Sequence, residues 1–141
     1  MRMTTHIKQQ AASLAGAALF AAAAIATGRG DAAESSHSAD VTKGAAAFVR
    51  QCALCHTVGR GEPNRFGPNL FGVIDRQAGS VPGYKYSPAF NSTATWNWSE
   101  AAVGGFISAP AQMVPGTPMG IFQGVSDADR DAIVVFLAQQ K

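Results

Sequence analysis

Apolar positions recur at helical spacing near both ends of the chain and lose that order between them. Behind Asp40, an N-cap type of residue, stand Val41, Gly44, Ala45, Phe48, Val49 and Cys52, which predict a helix over about 41–53. Ser126 precedes Asp127 and Asp129, acids suited to the first turn of a helix, and Ile133, Val134, Phe136 and Leu137 supply its apolar face. From Thr57 to Asn97 the chain is broken by Gly59, Gly61, Pro63, Gly67, Pro68, Gly72, Gly79, Pro82 and Gly83. That stretch reads as loop, with one short helix started by Ser87-Pro88. Ser99 caps a further helix that ends near Pro110. Period-2 strands and internal repeats are absent from the pattern.

A loop stretch of this length is abnormal in a small domain unless something inside organises it. The core is thin as well. A chain of about a hundred residues buries only about 60–65% of its unfolded surface, and much of the apolar content here is alanine. The pattern is that of a chain wrapped around a large apolar guest.

The first residues belong to a different object. Arg2, His6 and Lys8 precede an alanine-dominated run from Ala11 to Ala26, the layout of a secretory signal peptide. Residues 1–26 are therefore expected to be removed, with cleavage after Ala26 or at a weaker site as far as Ala33. An uncleaved anchor is the competing reading, disfavoured because alanine contributes little to insertion. Residues 27–39 are small and polar and are expected to form a flexible tail, leaving 40–141 as one domain. Without the leader the charge changes: the formal +2 of the full chain gives way to eight basic and eight acidic residues from Glu34 onward. The basic residues form no run, so no nucleic-acid partner is expected.

Cys52-Ala53-Leu54-Cys55-His56 is C-x-x-C-H, the attachment signature of c-type haem. Two thiols add across the two vinyl groups as thioethers, and the histidine that follows is held under the iron as an axial ligand. A thioredoxin-like redox pair is the rival, but it wants a βαβ setting and gives His56 no role. A disulfide between Cys52 and Cys55 would close too small a loop to staple anything.

For the opposite axial position, His37 lies in the expected tail, and Met1, Met3 and His6 leave with the leader. Met113 and Met119 remain. Met119 sits in Val114-Pro115-Gly116-Thr117-Pro118-Met119-Gly120, where prolines restrict the backbone and glycines permit tight turns. A thioether is a weak ligand and needs such a loop to hold it on iron. Met119 is thus favoured, with Met113 as packing. A soft neutral sulfur favours ferrous iron, and filling both axial sites points to electron transfer rather than catalysis.

With these residues in view, the chain resembles the class I c-type cytochromes, of the mitochondrial-like kind found as small soluble proteins in bacteria. The resemblance runs from about Asp40 to Gln139. It rests on Asp40-Val41-Thr42-Lys43-Gly44 with Phe48, on Gly67-Pro68-Asn69-Leu70-Phe71-Gly72, and on Gly83-Tyr84-Lys85-Tyr86. It implies an all-α cytochrome c fold, with N- and C-terminal helices crossing at Gly44 near Phe136 and Leu137, and short helices and long loops around one covalent haem c. It implies that the Pro68 carbonyl accepts the Nδ1 proton of His56, and that Tyr86, Trp98 and Arg76 serve the haem propionates, with Trp96 as packing. Where mitochondrial members carry a lysine this chain has Pro118, and Lys43, Lys85 and Lys141 are its remaining lysines beyond the leader. Strong steering toward an acidic partner is therefore not expected.

The resulting expectation is a monomeric periplasmic one-electron carrier cycling Fe(II)/Fe(III) haem c. Its partners are transient redox proteins: membrane respiratory or photosynthetic complexes, or periplasmic redox enzymes. Stable membrane insertion is not expected once the leader is gone. The alternatives are a haem sensor or haem enzyme with a displaceable sixth ligand, a thiol oxidoreductase, and a subunit of a fixed complex.

Overall fold

The computed structural model describes residues 29–141. The expected leader, residues 1–26, lies outside them. Among the described residues five α-helices occur in the order α1 (Arg29–Gln51), α2 (Pro88–Thr93), α3 (Glu100–Ser108), α4 (Pro110–Met113) and α5 (Asp127–Ala138), with a 3₁₀ turn at Pro118–Ile121 between α4 and α5. Among the described residues the one β element is an isolated antiparallel bridge between Gln77 and Asn97.

Three helix starts follow the sequence signals. Ser87, Ser99 and Ser126 are N-caps whose side chains accept from the backbone N–H of Phe90, Ala102 and Asp129. Each satisfies a donor that the first turn leaves without an intrahelical partner. The short α4 and the 3₁₀ turn were not anticipated; both begin at a proline, Pro110 and Pro118, whose missing N–H costs nothing there.

The helix expected from about 41 requires correction: α1 begins at Arg29, so the described part of the stretch 27–39, expected as a flexible tail, is helical. Asp40 does not cap it but lies within it, 3.5 Å from the Lys43 ammonium one turn on. The physical reason is that no proline interrupts 29–40, and an established helix propagates at small cost through weak formers. Thr42 Oγ1 donates to Ser38 O at 3.0 Å, a further tie across that junction. At the other end α1 stops at Gln51, so the cysteine motif occupies the turn beyond the helix instead of its last residues.

α5 packs against both α1 and α3. The α1–α5 crossing is set at Gly44. A Cβ there would run into the backbone oxygen of Ala132 and come within 2.6 Å of Phe136 Cβ. Beside the crossing, Phe48 and Phe136 lie 5.6 Å apart at a tilt of 47°. Arg50 and Asp129 pair at 3.3 Å on the rim. Ile133 is fully buried at the centre, with Ala47, Phe48, Val134 and Leu137 around it. The same core continues through Phe90 of α2 and Trp98 to Phe106 of α3, with Val114 just beyond α4.

Gly44→Leu is expected to destabilise the protein by about 1–3 kcal/mol or more, since the helices cannot separate without losing the core below them. Denaturant unfolding checks this: the midpoint should fall, and an unchanged midpoint would place the crossing elsewhere.

Candidate haem site

The site is built by folding two segments onto each other. Immediately after α1, Cys52 N and Ala53 N both donate to Phe48 O, at 2.8 and 3.0 Å. Cys55 N and His56 N both donate to Cys52 O, at 3.0 and 2.9 Å. The tightened turns put both free thiols and the imidazole on one short piece of backbone. The loop 67–70 then lies against it: Gly67 N donates to Cys55 O at 2.7 Å, and Leu70 N to Thr57 O at 2.8 Å.

This pairing presents the Pro68 carbonyl to His56, and Nδ1 and Pro68 O are 2.8 Å apart. Because a carbonyl only accepts, the proton is on Nδ1, and Nε2 keeps its lone pair free for a metal. Burial lowers the imidazole pKa, the Pro68 bond opposing it more weakly, so the ring is neutral at pH 7 as a ligand must be. Gly67 is required by the same geometry. A Cβ at that position would strike the His56 ring, 2.6 Å from Nε2.

Side chains beyond the motif brace the loop, and no periodicity or motif announced them. Buried Thr57 donates to Pro63 O at 2.8 Å and accepts from Asn69 Nδ2 at 2.8 Å. Asn69 Nδ2 also reaches Gly59 O, and Asn69 Oδ1 accepts from Phe71 N. Glu62 Oε2 accepts from Gly59 N at 2.6 Å and Val58 N at 3.1 Å. Asn64 Oδ1 accepts from Asn69 N at 2.8 Å. The one signal available in the sequence was the density of Asn, Thr and Gly in a loop, which marks such bonds without saying where they go.

Arg76, Tyr86 and Trp98 come together on the other side. Trp98 N donates to Arg76 O at 2.9 Å and Asp75 N to Trp98 O at 2.7 Å, tying the two segments. The Arg76 guanidinium donates to Phe71 O at 2.8 Å and Asn69 O at 3.1 Å. It is half-buried, and burial lowers its pKa. Tyr86 stacks on Phe90 at 5.0 Å, and its hydroxyl accepts from Val81 N at 3.4 Å. Trp96 is half-buried and meets Trp98 edge-on at 5.6 Å and 89°. Its indole N–H is buried without a partner among the described residues.

Met119 is partly buried on the 3₁₀ turn and packs on the apolar core. Buried Thr117 caps that turn, its hydroxyl accepting from Met119 N at 3.4 Å. Met113 lies elsewhere, at the end of α4, with its sulfur 3.9 Å from where a Cβ on Gly105 of α3 would be.

These residues fit a haem. Two free thiols share a turn with a histidine whose Nε2 is the uncommitted nitrogen. Arg76 is a half-buried cation, and none of the ion pairs among the described residues includes it; a haem propionate would supply such an anion. They do not fit a thiol oxidoreductase. Burial, and then the neighbouring Cys55, push the Cys52 thiol up to about 11, whereas a redox C-x-x-C pair depends on a depressed value.

The family model described as Cytochrome c matches residues 41–141. The chain belongs to the cytochrome c family. It is 43% identical over 103 residues to cytochrome c2 of Rhodoblastus acidophilus, covering 72% of this chain and 94% of that protein. It is 40% identical to cytochrome c-550 of Nitrobacter winogradskyi, covering 71% and 90%. It is 39% identical to cytochrome c of Stellaria longipes, covering 70% and 90%. The expected all-α cytochrome c fold holds, the cofactor is one covalent haem c, and the protein is an electron carrier. Among the described residues no helix is long and apolar enough to cross a membrane.

Gly67→Ala is expected to push the His56 ring off the Pro68 carbonyl. The reduced holoprotein should show an altered visible spectrum and a lower unfolding midpoint, and an unperturbed spectrum would mean the ring has room the geometry does not give it.

Proposed function

We propose that Cys52 and Cys55 carry the haem c thioethers, that His56 and Met119 are its axial ligands, and that the protein is a periplasmic carrier rather than an enzyme. The observation that carries this reading is the His56 Nδ1–Pro68 bond of 2.8 Å, which commits the ring to offering Nε2. Haem c supplies a one-electron Fe(III)/Fe(II) couple. The chain's part is to hold that couple in one geometry while an electron enters or leaves.

Pro68 fixes the orientation and basicity of His56. The 3₁₀ turn capped by Thr117 holds the Met119 sulfur, and a thioether at this position raises the potential. Tyr86, Trp98 and Arg76 serve the propionates, Arg76 by charge and the other two by hydrogen bonding; two carboxylates beside a buried ring need such donors. Trp96, placed against Trp98, packs the same corner, and its unpartnered indole N–H is unexplained by that role.

With both axial positions filled by side chains, no site remains for oxygen or a substrate, which supports the carrier reading over that of a sensor or enzyme. The leader-like residues 1–26 and the bacterial relatives support a periplasmic location. Partners are redox proteins met briefly through small interfaces, since a carrier must leave quickly, and the protein acts as a monomer. From Glu34 onward the charges balance at eight and eight. The acids Asp127, Asp129 and Asp131 gather on α5, while Arg65, whose Nη1 donates to Ala53 O at 2.6 Å, lies across the cysteine turn.

Reaction rates with small redox proteins should therefore change little between low and physiological ionic strength, because no large net charge steers the encounter. A steep fall measured by stopped flow would show that the Arg65 side dominates. Met119→Ala is expected to keep covalent haem, lower the potential and let the reduced protein bind carbon monoxide. Met113→Ala should cost stability and leave the absorption spectrum alone. Reversal of these two outcomes would move the sixth ligand to Met113, and no spectral change in either would remove methionine ligation altogether.

A further inference from the structure

The His56–Pro68 bond has a second half. The carbonyl that accepts from His56 belongs to the peptide group between Pro68 and Asn69, and the N–H of that same group donates to Asn64 Oδ1 at 2.8 Å. In a trans peptide the oxygen and the hydrogen point in opposite directions, and no cis bond occurs among the described residues. His56 therefore holds one edge of the group and Asn64 the other. Asn64 is itself oriented, since its Nδ2 donates to Pro82 O at 3.2 Å. The result is a run of three successive bonds: Pro82 C=O to the Asn64 amide, the Asn64 amide to the 68–69 peptide, and that peptide to the imidazole.

We propose that Asn64 is a positioning residue for the haem-ligating His56, acting through the 68–69 peptide. This rests on His56 being an iron ligand, as proposed above. Two effects follow from the geometry. The proline ring already restricts φ at 68, so the remaining soft motion of this peptide is a rocking about its flanking Cα atoms, and Asn64 opposes it from the side away from His56. Asn64 also polarises the peptide. A donated N–H makes its own carbonyl a better acceptor, by about 10–30% per bond in a hydrogen-bonded chain. A stronger acceptor on Nδ1–H makes Nε2 more basic, which stabilises ferric over ferrous iron and lowers the potential.

Asn69 does not duplicate this function. Its side chain is bound to Thr57, Gly59 and Phe71, which fixes where the residue sits but leaves the tilt of the 68–69 plane to its backbone bonds. Asn64 joins the histidine-side loop to the loop that carries Tyr84 and Tyr86, so loss of its side chain would weaken the fold whatever its effect on His56. The test must therefore separate positioning from stapling.

The decisive experiment compares Asn64→Ala and Asn64→Asp with the parent as reduced holoproteins, following the His56 ring Nδ1–H by NMR and measuring the midpoint potential. Asn64→Ala removes the acceptor for Asn69 N–H. The His56 Nδ1–H resonance should move upfield, exchange with solvent up to about twofold faster, as for a bond weakened by about 10–30%, and the potential should rise. Asn64→Asp keeps an acceptor, now charged, and drops the donor to Pro82. The resonance should move downfield although the inter-loop bond is gone. A simple staple predicts that both variants lose stability and leave the resonance and its exchange as in the parent, and that result overturns the proposal. So does an upfield move in both. If Asn64→Ala does not assemble, Asn64→Asp decides by itself, because polarisation and stapling give it different resonances. Failure of the underlying ligand reading would be visible in the parent alone, as His56 ring protons without the shift that a bound haem imposes.

Discussion

The carbonyl of Pro68 organises this protein. By accepting from His56 Nδ1 it selects the tautomer that leaves Nε2 free for the proposed iron ligation, and the loops on both sides are arranged to keep it in place. Gly67 gives the room, the bonds from Gly67 N and Leu70 N bring the segment down, and Asn64, Thr57, Asn69 and Glu62 fill in the backbone partners that a loop cannot find for itself. A loop of this kind has no ladder to satisfy its N–H and C=O groups, so side chains must do it.

The helices stand behind this arrangement. α1 ends at Gln51 and hands the chain directly to the cysteine turn through bonds to Phe48 O. Phe48 in turn packs on Phe136 of α5. The crossing at Gly44 therefore positions the attachment turn relative to the rest of the core, and an error there is carried along α1 to the cysteine turn. Stability and site geometry are coupled through one helix.

What the sequence disclosed and what it withheld divide along a physical line. Ser87, Ser99 and Ser126 act within three residues of themselves, so the starts of α2, α3 and α5 were legible as caps. The C-x-x-C-H run was legible because its chemistry depends on adjacency. The bond between His56 and Pro68, twelve residues apart, came from family resemblance, since nothing in the spacing alone dictates it. The start of α1 was misplaced because Asp40 is a good cap and an acceptable interior residue, and local pattern cannot choose between them. Asn64 was missed for the opposite reason. Its partners are five residues away at Asn69 and eighteen at Pro82, and a polar residue in a loop gives no sign of which distant backbone group it will meet.

The two sides of the site are supported in unequal ways, and the inequality suits the ligands proposed for them. A neutral imidazole binds iron strongly, so its surroundings need chiefly to aim it, and hydrogen bonds do that directionally. A thioether binds weakly and offers no N–H to anchor, so it must be presented by backbone shape and packing. Around Met119 the means are of that second kind: prolines at 115 and 118, Gly116 at a positive φ of 82° beside Ala89 of α2, and a buried threonine cap. The histidine side is held by specific bonds and the methionine side by restricted backbone. Perturbing one polar side chain should tune the first, while loosening the second should open it. On the proposed ligation, polar substitutions in the 57–71 loop are therefore expected to bear on potential, and changes in the 114–120 loop on access to the iron.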